Sequence, residues 1–336
     1  MKKLLCLPIA ALIMLCSCAD SSSEHIKTLY CMDTHMTLKA YGDKAEAALE
    51  KAVGTLVDLD AKWSVTNTDS EIYKVNHAGG GTVQVSPETS ELVSFGRDMY
   101  EKSDRTLDIS IYPILLEWGF TIHYYKVPAQ ERISKLLWNV NASKIGVNSS
   151  GVTVPADMMI DLGSVAKGAA SDMICGELRK AGVESAVLDL GGNIQTLGSK
   201  PGSGKWKIGI RDPEGSGIIG SVSVENKAVV TSGGYERQFT ENGKTYHHII
   251  DPSTGWPAES GLVSVTVIGD SGRMCDALST SLFIMGAEKA YHYWRKTGGF
   301  DYIALTKSGE LLVSSGIAED FDLDKDHKNI KVTVVK

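Results

Sequence analysis

The chain has 336 residues, of which 43% are hydrophobic and 22% are charged, and its formal net charge is -7. This length and composition are those of a globular protein that can bury a sizeable core without disulfide bridges. The acidic balance excludes non-specific nucleic-acid binding, because that activity needs clustered lysine and arginine side chains to neutralise phosphates.

The N-terminus has the features of an export signal. A basic Met1-Lys2-Lys3 precedes an apolar run over residues 4–15, which is shorter than the ~20 apolar residues that span a bilayer. The following Leu15-Cys16-Ser17-Cys18 resembles a bacterial lipobox, so we predict a signal peptide over residues 1–17 and lipidation of Cys18. A polar tether over residues 18–25 would join a single domain, residues 26–336, to a bacterial membrane facing the periplasm. Lipidation of Cys16, which follows Met14-Leu15 and fits the lipobox less well, and a plain secretory peptide are the alternatives.

Apolar periodicity predicts the following elements in chain order. The first half has a strand over residues 28–41, helices over 44–63, 69–76, 86–103 and 129–138, and a hairpin over 144–154. The second half has a helix over 165–180, strands over 185–190, 206–210, 221–230, 245–250 and 262–268, helices over 271–285 and 288–296, and a hairpin over 302–314. Successive strands with helices inserted in pairs indicate an α+β fold with mainly antiparallel sheets.

Three segments place glycines or hydroxyl groups directly after a predicted strand. They are residues 160–168 (Ile-Asp-Leu-Gly-Ser-Val-Ala-Lys-Gly), 189–193 (Asp-Leu-Gly-Gly-Asn) and 231–235 (Thr-Ser-Gly-Gly-Tyr). At residues 160–168, free backbone N–H groups at a helix start would favour an anion, and Lys167 would add a positive charge. The paired glycines at residues 191 and 192 would let a ligand approach the backbone closely, and the hydroxyl groups and flexible backbone at residues 231–235 would hold phosphate oxygens. An ordinary turn is the alternative for each segment. The segment at residues 189–193 lacks the spacing Gly-x-Gly-x-x-Gly of the dinucleotide fingerprint, which disfavours classical NAD binding there.

Two further segments carry side chains suited to phosphate chemistry. His247 and His248 are adjacent in a predicted strand and face opposite ways, so only one of them can enter a given site as a base. Asp276 and Thr280 lie four residues apart on a predicted helix and share a face, where a carboxylate and a hydroxyl suit Mg2+. A structural histidine, and an aspartate that favours the helix dipole, are the alternatives.

The succession of these motifs resembles the ApbE family of FAD:protein FMN transferases. The matching motifs, in order, are Asp-Leu-Gly-x-x-Ala-Lys-Gly, Leu-Gly-Gly-Asn, Thr-Ser-Gly, His-Ile-Ile-Asp-Pro-x-Thr-Gly and Asp-Ala-Leu-x-Thr. In the first half of the chain, Ser70-Glu71-Ile72 with Asn76, and Asp108-Ile109 with residues 116–120 (Leu-Glu-Trp-Gly-Phe), resemble further family segments. The resemblance covers residues 32–286.

The resemblance implies a T-fold-like α+β domain with an FAD cleft between two lobes. Mg2+ on the FAD pyrophosphate would be bound by Asp276, Thr280 and the backbone carbonyl of Ala166. The residues expected to contact the flavin nucleotide or to shape its cleft are Met32, Asp161, Lys167, Gly191, Gly192, Asn193, Thr231, Ser232 and Asp251. His248 would take the proton of an acceptor threonine or serine as its oxygen attacks the FMN phosphorus and AMP leaves.

Two positions depart from the family pattern. Family members often have Met-Gly-Thr where this chain has Met32-Asp33-Thr34, and many carry an aromatic residue near the flavin where this chain has Thr66. The loss of a stacking ring would weaken FAD binding by roughly 1 kcal/mol. An Mg2+-dependent FAD pyrophosphatase and a non-catalytic flavin-binding lipoprotein are therefore the alternatives. The expected partner is an acceptor protein of a membrane redox complex, of the sodium-pumping NADH:quinone reductase or RNF type.

Overall fold

The computed structural model describes residues 23–336, so the predicted signal peptide, the lipidation site Cys18 and most of the predicted tether lie outside the described residues. The helices are α1 (Ala45–Trp63), α2 (Glu71–Asn76), α3 (Pro87–Lys102), α4 (Tyr112–Trp118), α5 (Gln130–Leu137), α6 (Ala166–Lys180) and α7 (Gly272–Thr297). The strands are β1 (Glu24–Cys31), β2 (Thr34–Tyr41), β3 (Thr82–Val83), β4 (Gly146–Asn148), β5 (Gly151–Thr153), β6 (Ser185–Asp189), β7 (Asn193–Leu197), β8 (Trp206–Arg211), β9 (Ile218–Val224), β10 (Ala228–Gly233), β11 (Gln238–Glu241), β12 (Lys244–His247), β13 (Ile250–Asp251), β14 (Trp256–Pro257), β15 (Leu262–Gly269), β16 (Phe300–Thr306), β17 (Glu310–Ser314), β18 (Phe321–Leu323) and β19 (Lys331–Val335).

A nine-stranded sheet with the order β1-β2-β6-β7-β10-β15-β16-β17-β19 organises the molecule. Neighbouring strands are antiparallel except for β17 and β19, which are parallel. Strand β2 pairs with β6 although a long stretch of chain, including α1 to α6, lies between them. The predicted α+β class with mainly antiparallel sheets is confirmed.

The two faces of this sheet are covered by different layers. Alternate residues of a strand point to opposite faces, so Val267 of β15 joins the core beneath α1, α6 and α7, whereas Ile268 joins the core beneath the small sheet of β8, β9 and β18. A third apolar cluster stands apart from both cores and includes α4 and α5. We call it the aromatic lobe and define it by its buried residues Ile114, Trp118, Phe120, Ile133 and Ile250.

Three predicted single strands are wrong: the strand predicted over residues 245–250 is interrupted between β12 and β13, and two others contain a turn. The strand predicted over residues 28–41 is the hairpin of β1 and β2, which turns at Met32 (φ 48°) and Asp33 (φ 59°). The strand predicted over residues 221–230 is the end of β9 and the start of β10, with Asn226 (φ 52°) between them. Asp and Asn tolerate left-handed backbone, so these turns lack the glycine by which a turn is usually recognised. Strand β1 also begins at Glu24, so the end of the predicted tether belongs to the sheet.

The long helices agree closely with the periodicity of the sequence. Helices α1, α3 and α6 begin and end within a residue of their predicted bounds. The two helices predicted at residues 271–285 and 288–296 form the continuous α7, which is interrupted at Gly286 (φ 78°, ψ 170°). Within residues 23–336, none of the helices combines the length and apolar character that crossing a bilayer requires.

Helices α6 and α7 cross at two glycines, which permit a very close approach of their backbones. A Cβ atom on Gly168 would lie 2.2 Å from the carbonyl oxygen of Gly272. A Cβ atom on Gly272 would in turn lie 2.4 Å from Ser171 Oγ and 2.6 Å from the carbonyl oxygen of Gly168. The crossing therefore fixes α7 relative to the start of α6, and both of these regions carry predicted site residues.

The variant Gly168→Ala should lower the free energy of unfolding by about 2 kcal/mol, because its methyl group meets backbone atoms that cannot rotate away. Urea denaturation followed by circular dichroism measures the change. The matched control is Gly176→Ala on the same helix, where a Cβ atom would meet nothing within 4 Å. Alanine there should stabilise the helix by up to about 1 kcal/mol. Equal unfolding midpoints for the two variants would contradict the tight crossing.

Candidate active site

A cleft of about 790 Å³ opens between the main sheet with its helices and the aromatic lobe. This volume lies within the range of small-molecule and cofactor sites. The predicted site residues that line it are Met32, Asp161, Ala166, Lys167, Gly191, Gly192, Asn193, Thr231, Ser232, His248, Asp276 and Thr280. Asp33 and Thr66, the two departures from the family pattern, line it as well. Segments that are far apart in the sequence are thus brought to one cavity.

Among the predicted site residues that the structure describes, Asp251 does not belong to the cleft lining. Its Oδ1 accepts hydrogen bonds from the Ser253 backbone N–H at 2.8 Å and from Ser253 Oγ at 2.7 Å. An aspartate whose side chain accepts hydrogen bonds from the residue two positions later closes its own turn. The turn leads to Gly255, whose carbonyl accepts a hydrogen bond from Trp118 Nε1 at 2.9 Å. Asp251 therefore shapes the turn that leads to the aromatic lobe, and its predicted contact with the nucleotide stays a prediction.

Asp276 and Thr280 lie one turn apart on α7 and face the cleft. Asp276 is 5% exposed, and its Oδ2 accepts a hydrogen bond from the Gly168 backbone N–H at 2.9 Å. The Oγ1 atom of Thr280 lies 3.2 Å from Ser232 Oγ on β10. Burial raises the pKa of Asp276, while the nearby Lys167 ammonium and the Gly168 N–H group oppose that rise.

An unpaired amide beside Asp276 indicates that this corner of the cleft is built for another group. Both the Oδ1 and Nδ2 atoms of Asn193 are buried without a hydrogen-bond partner. The Asn193 amide nevertheless lies close enough to lower the pKa of Asp276, although its geometry does not complete a hydrogen bond. Buried polar groups are normally satisfied, and a buried carboxylate normally has a cation partner. The Asp276 carboxylate and Asn193 Oδ1 are therefore oxygens that a cation would satisfy, whereas Asn193 Nδ2 needs an acceptor.

The donor set fits magnesium better than a metal enclosed by protein ligands. In residues 23–336, His, Cys, Asp and Glu side chains form no group of three or more that could hold a metal ion. Magnesium typically takes one or two carboxylates and completes its shell with water and phosphate oxygens. Asp276, Thr280 and Ala166 all line the cleft and would offer hard oxygen ligands of this kind to a bound ion.

Asp172 on α6 positions this corner from outside the cleft. Its carboxylate accepts hydrogen bonds from the Ser271 hydroxyl at 2.9 Å and from the backbone N–H groups of Gly272 at 2.6 Å and Arg273 at 3.1 Å. These groups begin α7, where a negative charge is favourable, and Asp276 follows within the next turn. Sequence reasoning missed Asp172, since no local pattern connects it to residues so distant along the chain.

The paired glycines at residues 191 and 192 shape the cleft through their backbone conformation. Gly191 has φ 73°, and a Cβ atom there would lie 2.1 Å from Thr34 Oγ1. The N–H groups of Gly191 and Gly192 donate to Asp189 Oδ1 at 3.0 and 3.2 Å. These two N–H groups are therefore already partnered within the turn. The glycines permit the turn and the close approach of β2.

His248 lines the cleft, whereas its neighbour His247 does not. The Nε2 atom of His247 lies 3.2 Å from the Ala258 carbonyl, and its ring packs edge-on against Phe283. The Nδ1 atom of His248 lies 3.2 Å from the Arg237 carbonyl oxygen. Because a carbonyl can only accept, Nδ1 carries the proton and Nε2 keeps a lone pair. Burial and the positive charge of Arg237 lower the pKa of His248 to about 3, so the ring is neutral at pH 7.

The His248 ring should not titrate near its ordinary pKa of 6.5 but only as the pH approaches 3. Between pH 6.5 and pH 3, His248 is protonated in the unfolded chain but stays neutral in the folded protein. The contribution of the neutral ring to stability is present above pH 6.5 and is lost as the pH falls toward 3. NMR titration of labelled histidine measures the pKa, and His248→Gln should show a weaker fall in stability over that interval. A midpoint near 6.5 for His248 would contradict this assignment.

Comparisons with known proteins agree with this arrangement. The ApbE family model matches residues 32–304. The chain is 31% identical over 290 residues to the FAD:protein FMN transferase of Klebsiella pneumoniae (strain 342), covering 84% of this chain and 90% of that protein. It is 32% identical over 296 residues to the FAD:protein FMN transferase of Treponema pallidum (strain Nichols), covering 82% of each.

Solved structures show the same fold. The crystal structure of the ApbE protein from Thermotoga maritima superposes with a TM-score of 0.82 at 30% identity, covering 88% of this chain and 98% of that one. The apo form of the flavinyl transferase ApbE from Pseudomonas stutzeri gives a TM-score of 0.76 at 27% identity, covering 85% and 92%. The family suggested by the order of the motifs is thereby confirmed: the chain belongs to the ApbE family.

Proposed function

We propose that this protein transfers FMN from FAD to a threonine or serine hydroxyl of an acceptor protein, through a phosphoester bond and with release of AMP. The observation that carries the proposal is the buried Asp276 beside the unpaired amide of Asn193, in one cleft with a neutral histidine, His248. Both curated relatives described above are FAD:protein FMN transferases, which supports the same reaction here.

The proposed role of the Asp276 corner is to bind and orient the pyrophosphate of FAD. Mg2+, bound by Asp276, Thr280 and the carbonyl oxygen of Ala166, would neutralise negative charge on the phosphates. Lys167, which lies near enough to Asp276 to oppose the rise in its pKa, adds a positive charge at the same place. Positioning and charge neutralisation are the main requirements of phosphoryl-type transfer, so this corner needs no nucleophile of its own.

The proposed role of His248 is to accept the proton of the acceptor hydroxyl. In the transfer step the hydroxyl oxygen bonds to the FMN phosphorus, its proton passes to His248 Nε2, and the bond from that phosphorus to AMP breaks with the electron pair leaving on AMP. A pKa of about 3 makes His248 a weak base in the ligand-free protein. The negative charge of the FAD pyrophosphate would raise this pKa toward the range in which a general base is effective.

The test combines the purified protein, FAD, Mg2+ and an acceptor domain from a sodium-pumping NADH:quinone reductase or an RNF complex. The acceptor should gain the mass of one FMN group while AMP appears in equal amount, as measured by mass spectrometry. His248→Ala should lower the rate by a factor of about 100 to 10,000 because it removes the base. Asp276→Asn and chelation of the metal should abolish transfer.

The matched control is His292→Ala, an exposed histidine of α7 that does not line the cleft. It should transfer FMN at the normal rate. A full rate with His248→Ala would remove His248 from the mechanism. Transfer that is unaffected by chelation would contradict the proposed use of Mg2+.

Hydrolysis of FAD to FMN and AMP is the second candidate, and the surroundings of Thr66 favour it. Thr66 is exposed at the cleft and presents no aromatic ring to a flavin. Trp63 also lines the cleft, but it is only 5% exposed and its Nε1 donates to Thr89 Oγ1 at 3.0 Å, so little of its ring is available for stacking. Omitting the acceptor from the assay separates the candidates: AMP released as fast without acceptor as with it identifies a pyrophosphatase. FAD that stays bound without any AMP would identify a flavin-storage protein.

We further propose that residues 1–17 are a signal peptide, that Cys18 is lipidated, and that the remainder is one domain facing the periplasm. The basic and apolar segments before Leu15-Cys16-Ser17-Cys18 support the export signal. The main sheet contains strands from β1 at Glu24–Cys31 to β19 at Lys331–Val335, which supports a single domain. A membrane redox complex would then present its acceptor domain on the same side of the membrane.

Cys18→Ala should shift the protein from the membrane fraction to the soluble periplasmic fraction, because the lipid is the proposed anchor. Fractionation and immunoblotting of cells that express each form measure the shift. Cys16→Ala is the matched control and should remain in the membrane fraction. If Cys18→Ala stays with the membrane and the Cys16 variant is released, the lipidation site is wrong.

A further inference from the structure

Asp33 occupies a backbone position that aspartate tolerates but that glycine adopts more readily. It has φ 59°, in the left-handed region, and follows Met32, which has φ 48°. Glycine adopts this conformation without strain, whereas a residue with a side chain does so less readily. Asp33 lines the cleft, and its side chain is 38% exposed. An aspartate at this turn differs from a glycine through the contacts that its carboxylate makes.

The Asp33 carboxylate joins three segments at the mouth of the cleft. Its Oδ2 lies 2.7 Å from a guanidinium nitrogen of Arg237 and 3.4 Å from His123 Nε2, in the loop of the aromatic lobe. Its Oδ1 accepts a hydrogen bond from the Tyr30 hydroxyl at 2.6 Å. The same guanidinium nitrogen of Arg237 lies 3.5 Å from the Asp33 carbonyl oxygen. The β1–β2 turn is thereby connected to the segment between β10 and β11.

Arg237 connects this contact to His248. The Arg237 carbonyl oxygen accepts hydrogen bonds from both the backbone N–H of His248 at 3.1 Å and its Nδ1 at 3.2 Å. Arg237 is thus bound at both ends, by Asp33 through its side chain and by His248 through its main chain. The ion pair is more than one third exposed on each side, and exposed pairs of this kind contribute little to the stability of a fold. The ion pair therefore matters for the position of the Arg237 side chain and not for the stability of the fold.

We propose that Asp33 is a positioning residue, whose carboxylate holds the Arg237 side chain across the cleft mouth and thereby fixes the Arg237 carbonyl that orients His248. This inference rests on the proposed FMN transfer for its kinetic consequences. Its structural consequence, the fixed Nδ1–H form of the His248 ring, exists without substrate. Asp33 carries a negative charge in the lining of the cleft, and a negative charge repels an anionic nucleotide. Attraction of FAD is therefore not the role of Asp33.

The experiment compares Asp33→Asn with Asp33→Glu in the purified full chain. Asp33→Asn should lower kcat for FMN transfer about tenfold to a hundredfold, because a small misplacement of a catalytic group has effects of that size. Its KM for FAD should be unchanged or lower, since a negative charge leaves the cleft. Asp33→Glu keeps the charge that pairs with Arg237 and should recover most of kcat. A merely destabilised protein would instead lose thermal stability with every substitution.

Two substrate-free measurements judge the proposal independently of activity. In Asp33→Asn, nitrogen NMR of labelled histidine should show a mixture of ring tautomers for His248, and hydrogen exchange of the His248 amide should accelerate. The matched control is Asp320→Asn, which removes a comparably exposed carboxylate, 34% exposed and 2.6 Å from Lys205 Nζ, outside the cleft lining. It should leave kcat, tautomer and exchange unchanged.

The outcomes separate this proposal from the proposed function. Asp33→Asn with normal kcat and normal His248 exchange would overturn the positioning role, and so would a variant that raises KM for FAD while kcat stays normal. If the wild-type protein transfers no FMN, the proposed function fails. The tautomer and exchange measurements then still decide whether Asp33 orients His248.

Discussion

A carboxylate buried where two helices cross is the constraint around which this molecule is arranged. Removing Asp276 from water is unfavourable unless compensating groups surround it. The ligand-free protein offers it the Gly168 N–H group at 2.9 Å and the nearby charge of Lys167. Both come from the start of α6, so α6 and α7 must meet closely and in one register. The glycines at the crossing allow that approach, and Asp172 secures the first turn of α7.

The main sheet places Asn193 and Ser232 beside Asp276 and Thr280 of α7. Asn193 begins β7, and Val230 pairs with it across the ladder to β10, so Ser232 lies a short distance further along. Ser232 Oγ then comes within 3.2 Å of Thr280 Oγ1 on α7. His248 belongs to a different region: it follows β12, and its ring packs at 6.4 Å, centroid to centroid, against Phe120 of the aromatic lobe. The groups proposed to bind phosphate and the proposed base are therefore supported by separate apolar clusters on the two sides of the cleft.

The sequence predicted those parts of the structure that depend on local patterns. Helices α1, α3 and α6 have strong apolar periodicity, and their bounds were accurate to a residue. The order of the glycine, histidine and aspartate motifs led to the family, and most of those residues meet in the cleft. Contacts that depend on tertiary structure could not be found in this way. Asp172 acts on residues about a hundred positions later, and Asp251 uses its carboxylate within its own turn. The turn at Met32-Asp33 has no glycine to mark it.

The pairing of β2 with β6 also determines when the chain can fold. Residues of β2 need partners from β6, and those partners are synthesised only after the whole of α1 to α6. The opposite edge is completed by β19, within the last residues of the chain. Non-local pairing of this kind makes folding slow, because loops must close before their contacts form. A nascent chain therefore cannot complete the main sheet until most of it has been synthesised, and fragments released early by the ribosome lack an assembled sheet.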